Sequence, residues 1–162
     1  MMHKLYIENG QLKRFIPRVD VTIPDTVNSI GREAFYGCRS LENIILPDSV
    51  KSIGERAFED CDSLMSITIP TGVTVIKAFT FSKCFNLRSV MIPNSVTLIE
   101  GYAFENCESL RDVVIPKSVK KIVDWAFICC ESLKSITIPN HFTDENVKKW
   151  GIPDTCKVIK HN

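Results

Sequence analysis

The sequence predicts a repeat solenoid, α/β but β-rich: a right-handed stack of short units with one parallel sheet and short helical or turn arms. Three observations lead there. Pro24, Pro47, Pro70, Pro93, Pro116 and Pro139 recur every 23 residues. Phe35, Phe58, Phe81, Phe104 and Phe127 keep the same interval, as do Cys38, Cys61, Cys84, Cys107 and Cys130, and Leu41, Leu64, Leu87, Leu110 and Leu133. A period this strict marks one supersecondary unit stacked on copies of itself. Finally, no single copy can hide its own apolar residues, whereas stacked copies share one continuous core.

The copy from Leu41 to Ser63 serves as the type. Leu41, Ile44 and Leu46 form the apolar pattern of a short strand, with Asn43 and Ile45 facing the other way. Pro47 ends that strand because it has no N–H for the ladder. Val50 and Ile53 predict a second short extended arm. Ala57, Phe58, Cys61 and Leu64 fall at i, i+1, i+4 and i+7, which is helical spacing, so one or two helical turns are expected before the next strand. Equivalent strands would lie parallel, about 4.8 Å apart. A crossover of this kind is expected to be right-handed.

Both ends hold worn copies, which divides the chain into an N-terminal cap (1–18), five repeats (19–139) and a C-terminal cap (140–162). Ile7, Leu12 and Phe15 stand 23 residues before Ile30, Phe35 and Cys38, although Arg18 holds the Leu place. At the far end Phe142 takes the Val place, Trp150 the Phe place, Cys156 the Leu place and Ile159 the strand Ile place. Thr143-Asp-Glu-Asn is a helix N-cap signal. Polar caps of this kind stop a stack from growing at its ends.

Composition narrows the function. Apolar residues make up 44% of the chain and charged residues 24%, which describes a globular protein rather than a disordered one. The net charge of +1 gives no global field toward nucleic acid or an anionic membrane, so neither is expected as a partner. The charge is uneven, however: residues 37–116 hold seven Lys/Arg against ten Asp/Glu, and 117–162 hold eight against five. Pro or a charge interrupts every apolar run well short of a membrane span. Met1–Asn9 lacks the apolar stretch of a secretory signal. Either the protein stays in the cytoplasm, the default location, or a leader was removed from the chain.

The unit Leu-x-x-Ile-x-Ile-Pro-x-x-Val-x-x-Ile-Gly-x-x-Ala-Phe-x-x-Cys resembles the BspA-like, or Treponema pallidum type, leucine-rich repeat. The third copy spells it with Leu64, Ile67, Ile69, Pro70, Val73, Ile76, Phe81 and Cys84, and residues 19–139 follow it closely. Lys77, Glu100 and Val123 replace the Gly found at Gly31 and Gly54, and Thr80 replaces the Ala. A β-branched Val at one of these positions means that the backbone there does not demand φ > 0. The resemblance implies a curved solenoid used for protein–protein contact, often an adhesin-like module on a cell surface, with no catalytic residues.

The candidate sites follow from which positions vary. Thr22, Ile45, Thr68, Met91, Val114 and Thr137 form a stripe on the open face of the sheet, flanked by the small polar Asp20, Asn43, Ser66, Ser89, Asp112 and Ser135. Strand propensity alone would select these β-branched residues, but apolar members left in water also describe a surface awaiting a partner. A second line, Glu33, Arg56, Phe79, Tyr102 and Trp125, precedes the Ala position, with Ile128 one helical turn beyond. Its aromatics either form a binding hot spot or pack over the helical arms and under the cap. Ser40, Ser63, Asn86, Ser109 and Ser132 are expected to hydrogen-bond the turn that leads into each strand.

The seven cysteines include no Cys-x-x-Cys pair, so buried free thiols are expected, with Cys129 the one facing outward. No metal site is expected from them and His3, His141 and His161, and the Gly-x-Gly-x-x-Gly phosphate cradle is absent, so no cofactor is expected either. The resulting expectation is a non-enzymatic protein-binding scaffold with a protein ligand of unknown identity. The rival is a structural module of a larger cell-surface or self-associating array.

Overall fold

The computed structural model describes residues 6–14 and 20–161. Each 23-residue unit makes one coil of a β-solenoid, and the coil has three sides. On the first lie the strands β3 (Asp20–Thr22), β5 (Asn43–Ile45), β7 (Ser66–Thr68), β9 (Ser89–Met91), β11 (Asp112–Val114), β13 (Ser135–Pro139) and β14 (Lys157–His161). On the second lie β2 (Gln11–Arg14), β4 (Ser29–Ile30), β6 (Ser52–Ile53), β8 (Val75–Ile76), β10 (Leu98–Ile99) and β12 (Lys121–Ile122). The outermost strand, β1 (Tyr6–Glu8), pairs with β2. Among the described residues the one helix, α1 (Asp144–Lys149), sits in the C-terminal cap.

Both sides are parallel ladders, β3-β5-β7-β9 and β11-β13-β14 on the first, β2-β4-β6 and β8-β10-β12 on the second. Within the repeats the register advances by one unit: Val21 meets Ile44, Ser29 meets Ser52, and Val113 meets Ile136. The single sheet expected from sequence is therefore two, because the second extended arm also pairs with its copies.

The third side corrects the expectation of a helical arm. In the second copy the N–H groups of Arg56, Phe58 and Asp60 donate to the Ala78, Thr80 and Ser82 carbonyls of the next coil. Between them Ala57, Glu59 and Cys61 close tight turns onto Gly54, Arg56 and Phe58. A helix needs every N–H for its own i−4 carbonyl, and here alternate ones leave for the neighbouring coil. Left-handed residues enforce the alternation: Glu33, Arg56, Phe79, Tyr102 and Trp125 have φ of 55 to 66°, and four residues later Gly37, Asp60, Lys83, Asn106 and Cys129 have φ of 56 to 69°. Gly31 and Gly54 do not share that conformation. A Cβ on them would fall 2.7 Å from the Leu12 oxygen and 2.4 Å from the Arg32 nitrogen, so close coil approach selects glycine at these two positions.

Inside, Phe35, Phe58, Phe81, Phe104 and Phe127 stack face to face with centroids 4.8, 5.5, 5.4 and 5.1 Å apart. Such pairs add about 0.5–1.5 kcal/mol each beyond burial. The cysteines beside them have a specific partner. The thiols of Cys61, Cys84, Cys107 and Cys130 donate to the carbonyls of Phe35, Phe58, Phe81 and Phe104 at 3.2, 3.2, 3.2 and 3.1 Å. Each of those carbonyls also accepts the N–H of the Cys three residues on, so both lone pairs are occupied. Thr80, in the Ala place, turns its hydroxyl onto the Lys77 carbonyl at 2.7 Å and so enters the core satisfied.

The caps depart from the expected register. Leu12 pairs with Ile30, so Leu12 fills the place that the 23-residue count assigned to Ile7, which lies exposed on β1. The cause is the Asn9-Gly10 turn, with φ of 50 and 74°, which folds β1 back antiparallel onto β2. Phe15, Arg18 and the 18/19 cap boundary lie outside the described residues. At the other end Phe142 repeats the Val turn, donating to the Pro139 carbonyl as Val119 does to Pro116. Trp150 is buried, with its carbonyl accepting from Phe127 and its ring edge-on to Phe142. Val158 stands opposite Ile136 and Ile159 opposite Thr137, one residue away from the predicted register. Adjacent Val158 and Ile159 offer no alternation to choose between the two registers.

Candidate binding surfaces

The stripe is built by strand alternation. Ile44, Ile67, Val113 and Ile136 point into the core, so their neighbours must point out. Ile45, Met91 and Val114 are 64, 67 and 60% exposed, Thr22 and Thr68 are also exposed, and Thr137 is half-buried beside Ile159. The flanking polar row spends hydrogen bonds along the stack: Asn43 Nδ2 donates to Asp20 Oδ1 at 2.8 Å, and Ser135 Oγ to Asp112 Oδ1 at 2.6 Å. These bonds steady the rim of the stripe without covering it.

The aromatic line comes together only in part. Phe79 and Tyr102 stack at 5.0 Å and 1°, and the Arg56 guanidinium lies 4.4 Å from the Phe79 ring centre. Arg56 is held there by Glu59 at 2.8 Å and Glu55 at 3.4 Å. The column spends its ring faces on itself, and Phe79 and Tyr102 are half-buried. Among the described residues no ring contact joins Trp125 to Tyr102. Trp125 stays 46% exposed, and the cap meets its backbone, with its N–H on the Lys149 carbonyl. Of the Ser ladder, Asn86 caps the Asp62 carbonyl with its side chain, while Ser109 and Ser132 reach the preceding coil through their backbone N–H.

None of the seven cysteines forms a disulfide, and Cys129 is exposed. Burial pushes the Cys130 thiol up to about 12 and holds Cys61, Cys84 and Cys107 well above the ordinary thiol range. Such thiols stay protonated and unreactive. Among the described residues no group of three or more His, Cys, Asp and Glu side chains could hold a metal ion, and no helix is long and apolar enough to cross a membrane.

Two features of the repeat escaped the sequence reading. The thiol-to-carbonyl bond was signalled by the constant 26-residue offset from each Phe to the Cys of the next copy. The second left-handed position was signalled by its occupants Gly37, Asp60 and Asn106, the residue types that tolerate that conformation.

The coil geometry, with parallel short strands, an inward Phe-Cys-Leu core and a varied exterior, defines a leucine-rich repeat scaffold. The chain belongs to the BspA type: the BspA type leucine-rich repeat region matches residues 7–134 in six copies. Among solved structures it is similar to the Treponema pallidum leucine-rich repeat protein TpLRR (34% identity, TM-score 0.77, covering 85% of this chain and 68% of that one). It is also similar to a leucine-rich repeat protein of Bacteroides ovatus (36%, TM-score 0.73, 85% of this chain and 39% of that one). A leucine-rich cell surface protein of Faecalibacterium prausnitzii matches at 36% identity and TM-score 0.57, over 73% of this chain and 38% of that one. The chain thus spans little more than a third of two of these relatives. No curated protein matches it.

Proposed function

We propose that this chain is a non-enzymatic scaffold that binds another protein through the stripe Ile45, Thr68, Met91, Val114 and Thr137, as part of an adhesin-like surface protein. One observation supports it above the others: the recurring Phe, Cys and Leu positions are buried, while three large apolar side chains stand more than half exposed on one sheet face. Exposed residues of this size on a rigid sheet cost little ordering entropy when a partner covers them. The similarity to a leucine-rich cell surface protein supports the location. Trp125, beyond the Phe79–Tyr102 column, is a second contact point of the kind that hot spots use.

The test is surface plasmon resonance of the purified chain against a panel of soluble extracellular proteins, repeated with Met91→Asp/Val114→Asp. The reading expects a ligand whose affinity falls at least about tenfold in the double variant, with an unchanged far-UV spectrum. Equal affinity would place the contact elsewhere.

A further inference from the structure

Two of the three sides of the coil continue into the C-terminal cap: β14 extends the first, and the Lys149 and Trp150 carbonyls extend the third. The second stops at β12. In the repeats, the carbonyls of Asn28, Thr74 and Thr97 accept the N–H of the residue 23 on, and those of Ile30, Ile76 and Ile99 accept the N–H of the residue 24 on. The matching donors for Lys120 and Ile122 would be Thr143 and Asn146. Both are consumed by the capping box of α1: Thr143 N–H donates to Asn146 Oδ1 at 2.9 Å, and Asn146 N–H to Thr143 Oγ1 at 3.2 Å. The helix that closes the stack therefore leaves the β12 edge without partners among the described residues, with two carbonyls spaced i, i+2 along one strand.

That edge borders a groove of about 250 Å³ between β12 and α1, with Ile122 and Phe142 as its apolar floor. Lys120, Lys121, Lys149 and His141 line it against the single acid Asp124. Lys149 is paired with Glu145 at 3.1 Å, but Lys120 and Lys121 make no ion pair among the described residues. We infer that the β12 edge is a second docking site, taking an extended acidic polypeptide segment as an added parallel or antiparallel strand. Strand addition fits the geometry because its N–H groups recur at the i, i+2 spacing of the two open carbonyls. The acidic character follows from the two unpaired lysines, which both line the groove beside the path of the added strand. The site lies on a different side of the coil from the stripe, so it stands or falls separately from that surface.

The probe is a fluorescein-labelled Glu-Val-Glu-Thr-Glu-Val-Glu peptide, followed by fluorescence anisotropy and by amide shifts in a 15N-labelled chain. Saturable binding is expected, with shifts centred on Lys121, Ile122 and Val123, undiminished in Met91→Asp/Val114→Asp. Lys120→Glu/Lys121→Glu should weaken it about tenfold or more, and so should N-methylation of alternate peptide amides, which removes the backbone donors and keeps the charge. Both lysines are exposed, so the variant is expected to fold, and circular dichroism checks this. No saturation at millimolar peptide would overturn the inference. Equal binding of the N-methylated peptide, of a Lys-for-Glu peptide, or of a sulfated oligosaccharide in its place would overturn it too.

Discussion

Raising the pH should unfold this protein through its buried thiols. Cys61, Cys84, Cys107 and Cys130 are held above their unfolded value by burial, and each donates its proton to a phenylalanine carbonyl that a thiolate would repel. Folded values raised above unfolded ones mean that the native state retains protons which the unfolded state releases. The stabilisation is complete below about pH 8.5 and is lost as the pH climbs above it. Each thiol contributes a slope of about 1.4 kcal/mol per pH unit, so four give roughly 5–6. By about pH 10 the loss is on the order of 8 kcal/mol, comparable with the whole stability of a typical domain of about 5–15 kcal/mol. Urea denaturation followed by far-UV circular dichroism, under reducing conditions from neutral pH to about 10, measures this slope. Tyrosine and lysine titration adds a background, so the decisive comparison is Cys107→Ala, which should flatten the slope by about 1.4 kcal/mol per pH unit whatever it does to stability at neutral pH. An unchanged slope in that variant would refute the argument.

Three further outcomes are expected. Gly37→Ala should destabilise by about 1 kcal/mol in chemical denaturation, all of it from the backbone, since φ is +69° and the added Cβ would meet nothing within 4 Å. Phe81→Ala removes the middle ring of the stack and should cost about 3–5 kcal/mol, read as a lower urea midpoint; a loss below about 1 kcal/mol would mean that the neighbouring rings close the gap. A maleimide pulse on the native protein, mapped by mass spectrometry, should label Cys129 first, with the ladder thiols modified only once the chain unfolds; fast labelling of Cys107 would show that single coils open on their own.

How much of this was legible in the sequence depends on the element. Ile44 inward and Ile45 outward, free thiols in the core, an exposed Cys129 and an N-cap at Thr143 were all readable, because each follows from local alternation or from a strictly repeated type. The spacing of Ala57, Phe58, Cys61 and Leu64 misled. A helix and a chain of alternating turns both return side chains to the core at that interval, and only the destination of the N–H groups separates them. The exposed stripe was visible in sequence, whereas the cation–aromatic column of Arg56, Phe79 and Tyr102 was not, since it depends on side-chain directions set by left-handed backbone.

The sequence by itself determined the unit, its length and which residues face inward, because a chain of identical short units has one way to share its apolar edges: against the neighbouring copy. The tertiary structure alone decided what happens where the copies stop. There the inter-coil hydrogen bonds compete with local ones. A capping box formed within four residues withdraws Thr143 and Asn146 from the ladder, leaving the β12 edge open, and no count of repeats could have shown that outcome.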